Sequence, residues 1–371
     1  MKRVLISLSL LFVLSACAPT PTVTPIPPTA TPVPPTLAPT ATRAVTPTPV
    51  AVVSPAPAPT FAPNAVCAKT NALEELIACV LAKMPRRDTQ GYVAPPANLA
   101  GDFKQVATQM LAGKCDDIAL PASMAKIYSV ATFTDKQNNA SYCVALEILD
   151  ENANGTIDRA WGTFIVNPKA TRELSIQAPH PLADLATEAQ AIAVFKGVNA
   201  RSYALAGSHR DANKERTTCQ PGTGEGEADA AHNVKDIFFA ATDALNEFYK
   251  DKEWSAIQFH GMGATSCVGV DAFLSYGVQV APKPGDKIVT LRDNFAKQQP
   301  KMIATVFGEN PPCNLYATTN VQGRLLNNVP AAQVCELPAT NYTGKFIHIE
   351  QKTNSRAAIA DWIAAINATW K

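Results

Sequence analysis

Residues 172–208 read RELSIQAPHPLADLATEAQAIAVFKGVNARSYALAGS. The first part has the apolar and β-branched content of a strand, residues 185–197 have the apolar spacing of a helix, and residues 201–208 read as a second strand. A strand, a helix and a strand in this order are typical of a sheet whose strands run mostly parallel.

The alternation continues to the end of the chain. Helices and strands are predicted in turn. The predicted helices are at 228–250, 286–297, 320–328 and 355–369, and the predicted strands between them are at 254–263, 301–308 and 345–351. We therefore predict an α/β fold with a mixed, mostly parallel central sheet and helices on both faces. In such sheets the chemistry gathers at the carboxyl ends of the strands.

The segment before residue 172 has a different texture. Residues 72–84 and 99–112 have helical apolar spacing, and we expect them to form a small N-terminal helical subdomain joined by a Pro-rich loop. Strand patterns follow at 127–133, 142–149 and 161–167, and Asn154-Gly155 predicts a hairpin turn between the last two. The expected globular part is 67–371, with a helical part at 67–120 and a catalytic-like core at 121–371.

The N-terminus has the pattern of an export signal. Lys2 and Arg3 precede an apolar run from Val4 to Val13, which is too short to span a bilayer. The run ends in Leu14-Ser15-Ala16-Cys17, which resembles the lipobox of bacterial lipoproteins, where the cysteine is lipidated. Residues 1–17 are therefore predicted to be a lipoprotein signal, and the resemblance implies an extracytoplasmic protein anchored in the membrane through Cys17.

Residues 18–66 are composed almost entirely of Pro, Thr, Ala and Val. They contain 15 of the 30 prolines and a single charged residue, Arg43. Because such a segment cannot bury a core, we predict a disordered, partly polyproline II tether.

Charge and cysteine content narrow the class of protein. The formal net charge is +1, and it becomes about −2 without Lys2, Arg3 and Arg43, so nucleic acid is not an expected partner. Apart from Cys17 there are eight cysteines, an even number that predicts four disulfides in an exported domain. Sequential pairing is our expectation, namely 67 with 79, 115 with 143, 219 with 267 and 313 with 335.

The segment 150–158, DENANGTID, also has some positions of a calcium-binding loop. The twelfth position is Trp161, where such a loop requires a bidentate Glu, and the hairpin turn occupies the same place. Calcium is therefore not an expected cofactor.

Histidines provide the main functional clue. Four of the five, His180, His209, His232 and His260, lie at predicted strand ends or at a helix start. His260 precedes a Gly-Met-Gly turn that lets the backbone approach closely. Imidazoles at strand ends can serve a zinc or acid/base site.

The order of these residues is similar to that in the zinc-dependent amidohydrolases and carboxypeptidases, which include N-formylglutamate amidohydrolase, aspartoacylase and poly-γ-glutamate hydrolase. The resemblance rests on His180 with Asp184 and Glu188, on Asp211-Ala212-Asn213-Lys214, on His260 and on Glu350, and it covers residues 172–370. It implies that His180 and His260 bind zinc together with a carboxylate, that Glu350 is the catalytic base, and that the 211–214 segment binds a substrate carboxylate.

Two positions differ from the family pattern. The usual H-x-x-E is replaced by His180-Pro-Leu-Ala-Asp184, so the third ligand is Asp184 or Glu188; we favour Asp184 because it can lie in the loop that carries His180. The Arg expected after Asn213 is Lys214, which leaves Arg210 or Arg216 to bind a substrate carboxylate as a bidentate pair.

Further residues have a functional and a structural interpretation. His209 with Arg210 and Asp211 suits substrate contacts or a salt-bridged loop, and Asp229 suits a cap for the long helix that contains His232. His348 alternates with Glu350 on one face of a strand, so both can face one crevice. The turn at 320–324 suits anion binding or, slightly more, an ordinary helix N-cap.

The sequence therefore predicts a membrane-anchored zinc-dependent hydrolase acting on a small anionic substrate, a carboxylate-bearing amide or peptide. No G-x-S-x-G, P-loop or G-x-G-x-x-G motif is present, which argues against serine hydrolases, NTPases and dinucleotide enzymes. The alternative is a non-catalytic ligand-binding lipoprotein on the same fold.

Overall fold

A nine-stranded mixed sheet with helices around it organises the chain. The computed structural model describes residues 67–147 and 155–371, so the predictions for the signal, Cys17, the tether and most of the calcium loop lie outside the described residues. The strands are β1 Tyr128–Asp135, β2 Ala140–Glu147, β3 Thr163–Val166, β4 Arg172–Ala178, β5 Ala200–Leu205, β6 Ser255–Gly261, β7 Ala272–Ser275, β8 Ala304–Val306 and β9 Phe346–Gln351. The helices are α1 Leu73–Lys83, α2 Leu99–Leu111, α3 Thr187–Gly197, α4 Ile237–Phe248, α5 Lys287–Gln298, α6 Val321–Leu326, α7 Thr353–Ala357 and α8 Ile359–Thr369.

The strand order is β1-β2-β3-β5-β4-β6-β9-β7-β8. The central strands β5, β4, β6 and β9 run parallel, whereas β1, β2 and β3 pair antiparallel and β7 runs antiparallel to β9. The predicted α/β class with a parallel central region is confirmed. Strand β7 was missed, because four residues flanked by loops give too short an alternation to stand out.

Helices cover both faces of this sheet. The chain crosses from β4 to β5 through α3, and it crosses back over β4 to β6 through α4. Because parallel crossovers are right-handed, opposite directions of crossing place α3 and α4 on opposite faces. On one side α3 contacts α1 and α8, and on the other α4 contacts α2 and α6.

The two N-terminal helices are present as predicted, but they belong to different layers. Helix α1 packs against α3, and α2 packs against α4. On α2, the ring of Phe103 makes edge contacts with Tyr128 and Phe164 of the sheet. Their apolar faces therefore extend the main core, and the two helices do not form a separate subdomain.

Helix α4 begins later than predicted. It starts at Ile237, where the Asp236 side chain accepts a hydrogen bond from the Phe239 amide, so residues 228–236 are a loop. Asp229 is therefore not the helix cap.

The hairpin prediction holds in pairing but not in length. Strand β2 pairs antiparallel with β3, as expected. Gly155 has a positive φ, yet no strand begins until Thr163, so a two-residue turn at Asn154-Gly155 does not join the strands. Asn154 itself lies outside the described residues.

The eight cysteines outside the signal form four disulfides, and two of these disulfides have the predicted pairing. Cys67–Cys79 and Cys115–Cys143 match the expectation, whereas Cys219 pairs with Cys335 and Cys267 with Cys313. The sequential guess failed for these because the crossovers of the sheet bring distant segments together. No helix within 67–147 or 155–371 has both the length and the apolar character needed to cross a membrane.

Candidate metal centre

The carboxyl ends of the central strands carry the candidate site. His180 lies two residues beyond β4, His260 near the end of β6, and Glu350 near the end of β9. In the sheet register, His260 is the neighbour of Glu350. The sequence-based expectation that these three residues come together is therefore met by the topology.

Three side chains form a compact donor triangle. The Nδ1 atom of His180 lies 3.1 Å from Oδ2 of Asp184 and 3.2 Å from Nδ1 of His260, and the third edge, from His260 Nδ1 to Asp184 Oδ2, is 3.4 Å. Tetrahedral zinc with bonds of about 2.0–2.1 Å requires donor atoms about 3.3–3.4 Å apart. The residues thus fit zinc in donor type and in spacing.

The strand end after β6 allows this close approach. A side chain at Gly261 would lie 3.3 Å from the Asp184 Cα and would collide with the Arg356 guanidinium. Glycine at this position therefore lets the loop that carries Asp184 pack directly on the strand that carries His260.

A second partner fixes each imidazole. Nε2 of His180 lies 3.0 Å from Oδ1 of the fully buried Asp229, and Nε2 of His260 lies 3.2 Å from Oε1 of Gln258. When each Nε2–H donates to these oxygens, the Nδ1 lone pairs of both rings face the triangle. Partners of this kind orient metal-binding histidines and raise their basicity.

The electrostatics place a cation at this point. Burial lowers the pKa of His180, but the charges of Asp229 and Asp184 outweigh it and raise the pKa to about 9. Burial opposes ionisation of Asp184 too, yet His180 and His260 hold the pKa of its carboxyl well below the usual range. Burial and the neighbouring His348 lower the pKa of His260 to about 4. These pKa directions favour a protonated His180 beside an ionised Asp184 and a neutral His260. The positive charge then lies on the same donor atoms that would hold zinc.

Asp229 is the central residue of a second group. Besides His180 it contacts His232, whose Nδ1 lies 3.0 Å from Oδ1, and Arg210, whose Nη2 lies 2.7 Å from Oδ2. Arg210 also pairs with Glu225 at 2.7 Å. The charges of His180 and His232 outweigh burial and keep the pKa of Asp229 well below its usual range.

Two residues of the donor triangle, His180 and His260, line a cavity of about 270 Å³. Glu350, Arg210 and segment 314–320 also line it. His348 also lines it, with Nε2 3.4 Å from Oε1 of Glu350 and its ring 4.4 Å from that of His260. The expectation that His348 and Glu350 face one crevice is confirmed.

Several residues predicted for the site lie elsewhere. Glu188 is in the first turn of α3, beside the Thr187 hydroxyl, and it is not part of the donor triangle. His209, Asp211, Asn213 and Arg216 do not line the cavity. Within residues 209–216 only Arg210 lines it.

The neighbours of these four residues explain their position. Asp211 pairs with Arg87, and its amide donates to Nδ1 of His209. The Asn213 amide donates to Glu227, and the Arg216 guanidinium donates to the Gly224 carbonyl. Together these contacts make a closed loop on the surface, which is the structural interpretation of this segment.

Two site residues escaped the sequence analysis. Asp229 was taken for a helix cap, although the spacing Asp229-x-x-His232 put a carboxylate and an imidazole together in one loop. Gln258 gave no signal beyond its position two residues before His260. Asn320 caps α6 by accepting from the Gly323 amide, as the N-cap interpretation has it, and it also donates to Gln258.

Comparisons with known proteins give little beyond this geometry. No family model and no curated protein matches the chain. Among the solved structures that align, three do so at 10% identity. A gene product of Agrobacterium tumefaciens aligns with a TM-score of 0.32 over 53% of this chain and 86% of its own. A proposed carboxypeptidase A of Shewanella denitrificans has a TM-score of 0.30 over 67% of this chain and 66% of its own, and a proposed metallopeptidase of Shewanella amazonensis has a TM-score of 0.27 over 73% of this chain and 90% of its own. TM-scores this low carry no argument, so the case for function depends on the site.

Proposed function

We propose that the chain is a zinc-dependent hydrolase of an amide or peptide bond. The observation that carries this proposal is the donor triangle of His180, Asp184 and His260, with edges of 3.1–3.4 Å. Its two imidazoles line a cavity that Glu350 also lines. Two imidazoles and one carboxylate leave a fourth position of tetrahedral zinc open, as catalytic sites do. Asp184, and not Glu188, is the carboxylate ligand in this proposal.

Each residue then has one task. Zinc at this position supplies a Lewis acid that polarises a carbonyl and makes water more acidic. Glu350 accepts the proton of the attacking water on its carboxylate. Arg210 lines the same cavity, where it pairs with Glu225 and Asp229. Asp229 and Gln258 hold the two imidazoles in the required orientation.

Metal content tests this proposal. The purified protein should contain about one zinc per chain, and His180→Ala should lose it because the triangle then has only two donors. His209→Ala is the matched control, since this imidazole lies outside the cavity, and it should keep its zinc. Protein without zinc, or equal zinc in both variants, would refute the metal centre. Zinc without hydrolysis of any amide would favour the non-catalytic binding protein instead.

We also propose that the domain is anchored outside the cytoplasm through a lipidated Cys17. The four disulfides support an oxidising compartment. Cys17→Ser should release the protein from the detergent phase, as followed by immunoblotting after phase partition. A variant that stays with the membrane as fully as wild type would contradict the anchor.

A further inference from the structure

The cavity next to the donor triangle has an unbalanced charge. Among the described residues that line it, Arg210 is the only lysine or arginine, whereas Glu225 and Glu350 are carboxylates. The buried Asp229 adds a third carboxylate directly beneath Arg210. One cation against these three acids leaves two negative charges, and zinc with Asp184 offsets only one of them.

Arg210 is already neutralised. Its Nη2 atom lies 2.7 Å from Oε2 of Glu225 and 2.7 Å from Oδ2 of Asp229. These contacts raise its pKa against the effect of burial, so the guanidinium is held charged and paired. A substrate carboxylate at Arg210 would become the third anion around one cation, in a partly buried place where like charges repel strongly.

The other candidate cation is occupied as well. The His232 ring contacts Asp229 through Nδ1 and lies 3.1 Å from the Thr319 hydroxyl through Nε2. Nδ1 is fully buried and Nε2 already contacts that hydroxyl, so neither nitrogen is open to a substrate carboxylate. Arg216, the alternative suggested by the sequence, does not line the cavity.

Glu225 can take another partner. Its side chain is 29% exposed, and its only ion pair among the described residues is the one with Arg210. A carboxylate has room for about four hydrogen bonds, so an ammonium group can share it with Arg210. Glu225 lines the same cavity as His180 and His260, two residues of the donor triangle.

We infer that the cavity accepts an amide substrate whose end group is an amine, bound by Glu225, and not a substrate with a terminal carboxylate. This inference rests on the proposed function, because it presumes that the scissile amide lies at the donor triangle. It replaces the sequence-based expectation of an anionic substrate, which depended on a free arginine.

Three hydroxamates of similar length test the end group. They derive from aminohexanoic acid, adipic acid and hexanoic acid, so they share a zinc-binding head and differ in a terminal amine, carboxylate or methyl. Calorimetry on the zinc-loaded protein at pH 7 should rank the amine first, about tenfold tighter than the carboxylate. Equal or tighter binding of the carboxylate compound would overturn the inference.

Glu225→Gln sharpens the test. It should weaken the amine compound about tenfold and strengthen the carboxylate compound, because Arg210 loses one of its two acids. Glu215→Gln, an exposed acid on the same loop, is the matched control and should change neither affinity. An unchanged ranking in Glu225→Gln, with the melting temperature of wild type, would also overturn the inference. If none of the three hydroxamates binds, the metal centre itself has failed, which is a different result from a wrong ranking.

Discussion

His180 and His260 are held by different chemistry, although their Nδ1 atoms lie 3.2 Å apart. Behind His180 lies a charged group, in which the fully buried Asp229 contacts two imidazoles and one guanidinium. Behind His260 lies a neutral group, in which Oε1 of Gln258 accepts from the ring and from the Asn320 amide. The two groups therefore act differently. The Asp229 carboxylate orients the His180 ring and adds a negative charge beside it, whereas the Gln258 amide only orients the His260 ring.

The neutral group also reaches further into the fold. The Gln258 side-chain amide donates to Gln177 on β4 and to Gln322 on α6, so one side chain connects His260 to two other elements. Asn320 ends the segment that forms the cavity wall. The charged group, in contrast, includes Arg210, which lines the cavity and pairs there with Glu225. We therefore expect a substitution in the charged group to lower metal affinity more than a substitution in the neutral group.

Glu350→Gln should have the largest effect on hydrolysis. It tests whether the charged group at Asp229 and the neutral group at Gln258 act only on the metal site, with proton transfer carried out by Glu350. The substitution keeps the shape and removes the basic oxygen, so the rate should fall by on the order of 10² or more. Zinc content should stay near wild type, as measured by atomic emission. Loss of zinc would make Glu350 a ligand, and full activity would remove it from the mechanism.

Asp229→Asn and Gln258→Met compare the two groups directly. Loss of a partner behind a metal-bound histidine typically costs about 10- to 100-fold in metal affinity. We expect Asp229→Asn to lie at the upper end, because Arg210 and His180 also lose a counter-charge, and Gln258→Met at the lower end. Competition with a zinc chelator measures both affinities.

A matched control removes a carboxylate elsewhere. Asp243→Asn changes a surface partner of Lys104 and should leave zinc affinity unchanged. If Gln258→Met costs as much as Asp229→Asn, the charge of Asp229 contributes nothing, and the contrast between the two groups is one of orientation only.

One physical reason explains why the sequence predicted the central sheet and the meeting of three site residues. Strand and helix periodicities are local, and in a parallel sheet they determine where the carboxyl ends lie, so His180, His260 and Glu350 could be placed without knowing the strand order. Asp184 was favoured over Glu188 because it can lie in the loop that carries His180, and the structure places its Oδ2 atom 3.1 Å from Nδ1 of His180.

The substrate side could not be predicted in the same way. Arg210 and Asp211 are adjacent in sequence, yet one lines the cavity and the other pairs with Arg87 on the surface. The contact between His180 and Asp229 spans 49 residues, and the disulfide from Cys219 to Cys335 spans 116. Such contacts depend on loop paths and crossovers, which no local pattern encodes.

The smallest expected effect is a change in the free energy of unfolding with pH, and it involves only the charged group around Asp229. Asp236, the N-cap of α4, is buried, and burial together with the charge of Asp229 raises its pKa to about 8. In the unfolded chain an aspartate titrates near ~3.9. Between about pH 4 and pH 8 the folded state therefore keeps a proton that the unfolded state has released, and the free energy of unfolding falls as the pH rises. The stabilisation is complete below the unfolded pKa and is lost as the pH passes about 8.

Asp236→Asn removes this dependence and keeps an oxygen that can cap the helix. The variant should melt close to wild type at pH 4.5 (a pH chosen near the ~3.9 of a free aspartate) and at least about 2 °C above it at pH 8.5, by scanning calorimetry at both values. In an Asp229→Asn background the difference at high pH should shrink, because one source of repulsion is gone, whereas Gln258→Met should leave it unchanged. A difference between Asp236→Asn and wild type that stays constant with pH would show that Asp236 is ionised throughout, and that the charge of Asp229 does not extend to the start of α4.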